Sequence, residues 1–301
     1  MSSINLDTRF NDTFIFTPTD GTTFQSFTIP NKVKMVSFII IGAGGGGGGG
    51  SQPSGADATY TGGGGGGSGQ IITATIPSIY LPETLYFYLG KGGDGGARAV
   101  TTGASGSNGQ FSYVLTRPEL VVSNMIIEAG RGIGGQGGST GARLGGSFTG
   151  GGVYIAMPSI FLNISAGRDG GAGNSSTPSS SVQILNQSIV TGGAGGGGCT
   201  GASAAGFEGQ GLTGNYKIKS IPGGTAGGGN GNPGLWDWDN MFGCGGSGGG
   251  GSPNASGTTG NGGDGAYGCG GGGGGSSRRA GAGAGGQGGK GGDGIAIISV
   301  W

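Results

Sequence analysis

Residues 285–294 read GGQGGKGGDG and run directly into IAIISVW at 295–301. Two glycines and one other residue repeat three times, leaving Gln287, Lys290 and Asp293 alone among glycines. Glycine loses more backbone freedom on folding than any other residue, so such a segment is either a linker or a structural code. An extended helix of the polyproline II type has three residues per turn, about 3.1 Å rise and no internal hydrogen bonds. In that conformation G-G-x places every x on one edge and leaves two edges as bare backbone, against which other helices can pack closely. The backbone N–H and C=O groups then need partners in neighbouring helices, so one polyglycine helix is unstable and a bundle satisfies itself.

The period recurs. GKGGDGG at 90–96 sets Lys91 and Asp94 on one edge, and GRGIGGQGGSTG at 130–141 holds Gly132, Gly135, Gly138 and Gly141 in one frame. Uninterrupted glycine runs at 44–50, 62–67, 195–198, 248–251 and 270–275 suit helices buried on all three edges. Gly 87 and Pro 11 among 301 residues would by themselves indicate low complexity. However, only 9% of residues are charged, and the apolar residues gather into short runs, unlike a disordered chain. Proline is too scarce, and strict Gly-X-Y too short-lived, for collagen.

Those apolar runs read as strands bounded by Pro, Gly or Asn. They are FIFTP (14–18), TTFQSFTIP (22–30), KMVSFIIIG (34–42), QIITATIP (70–77), TLYFYLG (84–90), QFSYVLT (110–116), MIIEAG (125–130), VYIAM (153–157), FLNISAG (161–167), the weaker SVQIL (181–185) and the closing GIAIISVW (294–301). VSFIII is continuous, as a strand covered on both faces would be, and IAIISVW is its expected neighbour. No helical period of useful length occurs. The expected fold is all-β, a jelly-roll-like β-sandwich with an inserted bundle of polyglycine II helices, forming one compact unit. Residues 1–190 form the strand-rich part interrupted by glycine segments, 191–293 the polyglycine-rich part, and 294–301 the closing strand.

FTIPNKVKMVSFIIIGAGGGGGGG (27–50) resembles the f-t-v-P-x-g-v-x-x-v-x-v-x-x-x-G-A-G-G-G-G opening of glycine-rich domains in phage tail fibres and tail-tip adhesins. TLYFYLGKGGDGG (84–96) is similar to their t-v-t-V-G-x-G-G-x-G-G segment, and GGQGGKGGDGIAIISVW to their closing G-G-x-G-x-G-x-v-x-I-x-w. Similar proteins occur in large DNA viruses, and a related arrangement of polyglycine helices in a β-sandwich is known from the extracellular glycine-rich region of the anaplastic lymphoma and leukocyte receptor tyrosine kinases. The resemblance covers about residues 24–301. It implies a virion structural or surface protein, whether minor capsid, fibre-associated or tail-tip, with other virion proteins and a host surface glycan or protein as partners, in an oligomer or larger assembly. The alternatives are a free antifreeze-type protein, which needs a regular Thr or Ala edge, and an extracellular structural protein with longer repeats.

Catalysis is not expected. The chain has no histidine to act as base, no G-x-S-x-G elbow, and the phosphate-loop pattern fails at Lys91 and Lys290, each followed by Gly. Neither cofactor nor metal is expected: Cys199, Cys244 and Cys269 have no C-x-x-C spacing and read as small buried thiols, with a disulfide between two of them left open. Zero net charge gives no footprint for nucleic acid, with Arg278-Arg279 the only basic doublet. No apolar run approaches the 18 or so residues of a bilayer span, and the N-terminus carries no basic-then-apolar secretion signal. The expected location is the virion, after synthesis in the host cytoplasm.

The candidate contact site is NPGLWDWDNMFG at 232–243, where Trp236, Trp238, Met241 and Phe242 interleave with Asp237 and Asp239. Aromatic faces beside carboxylates suit sugar rings or a partner's pocket. The competing reading is that these side chains cap the bundle or bury against the sandwich. NYKIKSIPG (215–223) reads as a hairpin arm or an edge strand whose lysines discourage aberrant pairing, and the sequons at Asn11, Asn163, Asn174, Asn186 and Asn254 as chance in an Asn- and Ser-rich chain.

Overall fold

The computed structural model describes residues 12–19, 23–52, 59–154, 161–173, 182–183, 189–199, 206–214, 219–239, 241–252, 259–277 and 285–301. Two five-stranded antiparallel sheets face each other. In chain order the strands are β1 (Asp12–Phe16), β2 (Gln25–Thr28), β3 (Met35–Ile41), β4 (Ile71–Pro77), β5 (Thr84–Tyr88), β6 (Ser112–Leu115), β7 (Met125–Ala129), β8 (Gly152–Val153), β9 (Phe161–Ser165), β10 (Val182–Gln183), β11 (Leu212–Thr213), β12 (Trp236–Asp237), β13 (Phe242–Gly243) and β14 (Ile295–Val300). One sheet has the order β1-β14-β3-β4-β9 and the other β2-β5-β6-β7-β8. The jelly-roll-like alternation holds for β1, β2 and β3, which change sheet at each step, and gives way to a meander across β5 to β8. The all-β sandwich is therefore as the sequence indicates.

Strand alternation sorts the side chains. Val36, Phe38 and Ile40 of β3 and Ala296, Ile298 and Val300 of β14 point between the sheets, where they meet Phe27, Leu85, Phe87, Val114 and Ile127. Ile39, Ile41, Ile295 and Ile297 point the other way and are covered by Val190, Cys269, Trp236, Met241 and Tyr267. This double covering is why VSFIII lacks a polar face. β14 pairs with β3 in unbroken register from Ile295↔Ile41 to Val300↔Val36. Of VYIAM only Val153 lies in a strand, at the end of β8, and 155–157 lie outside the described residues. Arg278-Arg279 and the sequons at Asn11, Asn174, Asn186 and Asn254 also lie outside, whereas Asn163 sits exposed in β9.

The glycine segments form the expected lattice. Along 42–52 the N–H groups of Gly44, Gly47 and Gly50 donate to Gly292, Gly289 and Gly286, those of Gly45 and Gly48 to Gly67 and Gly64, and those of Gly46 and Gly49 to Ser107 and Ala104. Three successive residues thus address three different neighbours, and the fourth returns to the first. The carbonyls of the same segment accept from 93–96, 132–138 and 271–274, so the helix has six neighbours. Gly132, Gly135 and Gly138 donate to Ala43, Gly46 and Gly49. The frame read from the sequence is one contact edge, and it stops before Gly141, whose Cβ position is open.

Every residue of the five uninterrupted glycine runs is buried. The packing leaves no room for a side chain: a Cβ on Gly47 would lie 2.0 Å from the Gly272 carbonyl oxygen. Helices from both the 42–151 and the 191–294 stretches share this lattice. Gly193 and Gly196, for example, donate to Gly66 and Gly63. The three cysteines are buried and form no disulfide, as small side chains fitted among the helices.

Candidate functional site

On one flank, four glycine segments lie side by side: 90–97, 285–294, 259–266 and 229–234. Gly291 donates to Gly93, Gly265 to Lys290, and Gly234 to Asp264, stitching each to the next. Each shows its x edge outward, so the exposed side chains form ranks about 9 Å apart along the helix axes, three residues at about 3.1 Å each. The rank nearest the sandwich holds Lys91, Asp293, Tyr267 and Trp236; the next holds Asp94, Lys290, Asp264 and Pro233; the third holds Ala97, Gln287, Asn261 and Asn230.

Within this array the x side chains do two jobs. Their oxygens satisfy outward N–H groups of the adjoining helix: Asp264 Oδ1 accepts from Lys290 N at 2.7 Å, Asn261 Oδ1 from Gln287 N at 2.8 Å, Asn230 Oδ1 from Asn261 N at 2.9 Å, and Asp293 Oδ1 from Gly92 N at 2.8 Å. The charges also alternate across helices, with Lys91 Nζ 3.3 Å from Asp293 Oδ2 and Lys290 Nζ 3.8 Å from Asp94 Oδ1. The second pair is solvent-exposed and contributes little to stability, about 0–1 kcal/mol.

The two inner ranks line a cleft of about 760 Å³, with Trp236 and Tyr267 at its sandwich end and Lys91, Asp94, Asp264, Lys290 and Asp293 along it. Trp236 comes from the β12–β13 hairpin, whose turn carries Asp237 Oδ1 accepting the Asp239 N–H at 3.0 Å. Met241 closes that turn at φ 50, a left-handed conformation costly for a side-chain-bearing residue. The Trp236 and Tyr267 rings meet edge-on at 5.7 Å, and Trp238, 45% exposed, packs against both at 5.7 and 6.2 Å. The Trp236 indole N–H is buried, with no acceptor among the described residues.

The residues singled out in the sequence therefore part company. Trp236 lines the cleft and Trp238 buttresses it. Asp237 and Asp239 build the turn. Met241 packs on the outer face of the first sheet, and Phe242 is buried with Leu212, Ile221 and Cys244. Tyr267, Asp264, Asp94, Lys91, Lys290 and Asp293 were not read as a site. The available signal was the frame itself, because 261, 264 and 267 step by three, as do 230, 233 and 236. Among the described residues no three Asp, Glu or Cys come together as a metal site, and no helix is long and apolar enough to cross a membrane.

A glycine-rich domain family model matches residues 17–301. The chain belongs to the glycine-rich domain family. Comparison with curated proteins finds no significant match. For this glycine-rich domain the family match covers both sheets, apart from β1, together with the whole polyglycine lattice. The flank cleft therefore belongs to the domain itself and not to an appendage.

Burial pushes the Cys269 and Cys244 thiols up from their ordinary pKa, against a smaller opposing effect of backbone hydrogen bonds. Both stay protonated at neutral pH and are unsuited to nucleophilic work.

Proposed function

We propose that the chain is a non-enzymatic structural and attachment component of a virion, whether minor capsid, fibre-associated or tail-tip, which uses the flank cleft as a contact site. The observation that supports this reading is the lattice. Each interior helix is held by backbone bonds on every side, so the bundle is a stiff block whose charged side chains appear on outward edges and turns, with small ones such as Ala194 and Ser247 buried inside. Such a block suits presentation of a fixed surface and offers no moving parts to a catalytic cycle. Partners on this reading are neighbouring virion proteins and a host surface molecule. An ice-binding role is less well supported, because its Thr or Ala edge is replaced here by Lys, Asp, Gln, Tyr and Trp.

The test is the protein's location in purified particles, by mass spectrometry and immunogold labelling. Surface labelling at the capsid, vertex fibre or tail tip is the expected result. Recovery only as free soluble monomer would overturn the proposal.

A further inference from the structure

The cleft carries a more specific reading, which rests on its being a contact site. We infer that it binds the pyranose ring of a saccharide. Three features of the cleft select this ligand class. The aromatic end, Trp236 and Tyr267 backed by Trp238, supplies the apolar surface that the C–H face of a sugar needs. One rank away lie both donors and acceptors for hydroxyls, the Lys290 ammonium and the Asp94 and Asp264 carboxylates. The cleft's volume is that of a small-ligand site, within about 300–1,000 Å³.

The charge pattern argues against the other small ligands that aromatic clefts take. A quaternary ammonium would sit beside two lysines, and a phosphate or sulfate beside three aspartates. A neutral polyhydroxylated ring is served by both. Stiffness adds to the case. Asp264 and Asp293 each hold a backbone N–H of the neighbouring helix, so much of the lining is ordered before any ligand arrives. Little further ordering is then lost on binding.

The experiment uses the purified full chain. Saturation-transfer NMR and tryptophan fluorescence are recorded with methyl glucoside, methyl mannoside, methyl galactoside and N-acetylglucosamine, each titrated to about 20 mM to cover millimolar dissociation constants. Choline and inorganic phosphate are run alongside. At least one sugar should give saturable transfer to its ring protons and a saturable tryptophan change.

Lys290→Ala and Asp94→Ala, both at exposed positions, should weaken that binding about tenfold each, one lost charge-assisted hydrogen bond. Trp238→Ala should weaken it further. Gln287→Ala, one rank outside the cleft, should not change it. Circular dichroism and melting curves establish that each variant folds, and if Trp238→Ala does not, the two exposed variants decide. No saturable response to any sugar, a response unchanged in both Lys290→Ala and Asp94→Ala, or a response to choline or phosphate alone would overturn the inference. Particle location is independent of these measurements. Sugar binding by a protein absent from particles removes the virion reading and leaves this one standing, and the converse result does the reverse.

Discussion

Lys32 occupies a position made for glycine. Its φ is 75 and Val33 N donates to the Pro30 carbonyl at 3.3 Å, which makes residues 30–33 a type II turn with a side chain where glycine is favoured. The opening pattern that FTIPNKV resembles carries a glycine at this place. A left-handed conformation costs an L-residue about 1–2 kcal/mol, and glycine returns part of the gain as unfolded-state entropy. Lys32→Gly should therefore stabilise the protein by about 0.5–1 kcal/mol in urea denaturation.

The buried thiols give a second prediction at this scale. Native protein should resist iodoacetamide at pH about 8.5, where an ordinary thiol is half ionised, and all three cysteines should label after unfolding. The raised native pKa values of Cys244 and Cys269 also set the sign of a pH effect. Their contribution to stability is intact below the unfolded-state pKa of about 8.5, and it falls as pH rises above that value because only the unfolded chain ionises.

At the scale of the element, the G-G-x helix makes sharply position-dependent demands. A Cβ on Gly288 would lie 2.0 Å from the Gly47 carbonyl oxygen, and one on Gly289 2.0 Å from that of Gly263. Both obstacles are backbone atoms in hydrogen-bonded helices and cannot swing aside. Gly288→Ala should cost more than about 3 kcal/mol, beyond ordinary overpacking, and Gly288→Val should abolish folding. Gln287→Ser, on the exposed edge between them and their neighbours, should be silent. Gly141→Ala, with open space and no positive φ, should be neutral or stabilising by up to about 1 kcal/mol. Thermal melts of the four variants test the series, and equal tolerance at 287 and 288 would return the segment to a linker.

Here the sequence was most legible. Period three identified the exposed edge from Gln287, Lys290 and Asp293, and uninterrupted glycine marked the interior helices. The two-residue strands β11, β12 and β13 were not legible, because so short a pairing leaves no alternation to read.

At the scale of the molecule, the first and last strands pair. β14 lies between β1 and β3, and 286–292 accepts bonds from the central 42–52 helix. A chain truncated after residue 284 loses a central strand and one of that helix's six neighbours together. It should fail to fold, as read by far-UV circular dichroism and the loss of a cooperative melt. Pairings between residues hundreds of positions apart also predict slow folding, milliseconds to seconds or longer.

The pairing of VSFIII with IAIISVW could be anticipated, since two continuous apolar strands each need cover on both faces. Helix adjacency could not. Nearly every interior position is the same residue, so nothing in the local sequence says that 229–234 lies beside 259–266, or that Tyr267 meets Trp236. That contact depends on the fold as a whole, which is why the cleft could not be read from 232–243 alone.

The three-neighbour addressing of the 42–52 helix also fixes how such a protein can change size. One residue added between Gly288 and Gly289 would rotate all that follows by a third of a turn, driving Lys290 into the bundle and a bare edge out to water. Only additions of three keep the facing, and each must be matched in the adjoining helices or leave carbonyls unanswered. Growth is therefore quantised: the block can lengthen by whole layers of about 9 Å, taken up by many helices at once, whereas its edges and turns can vary one residue at a time.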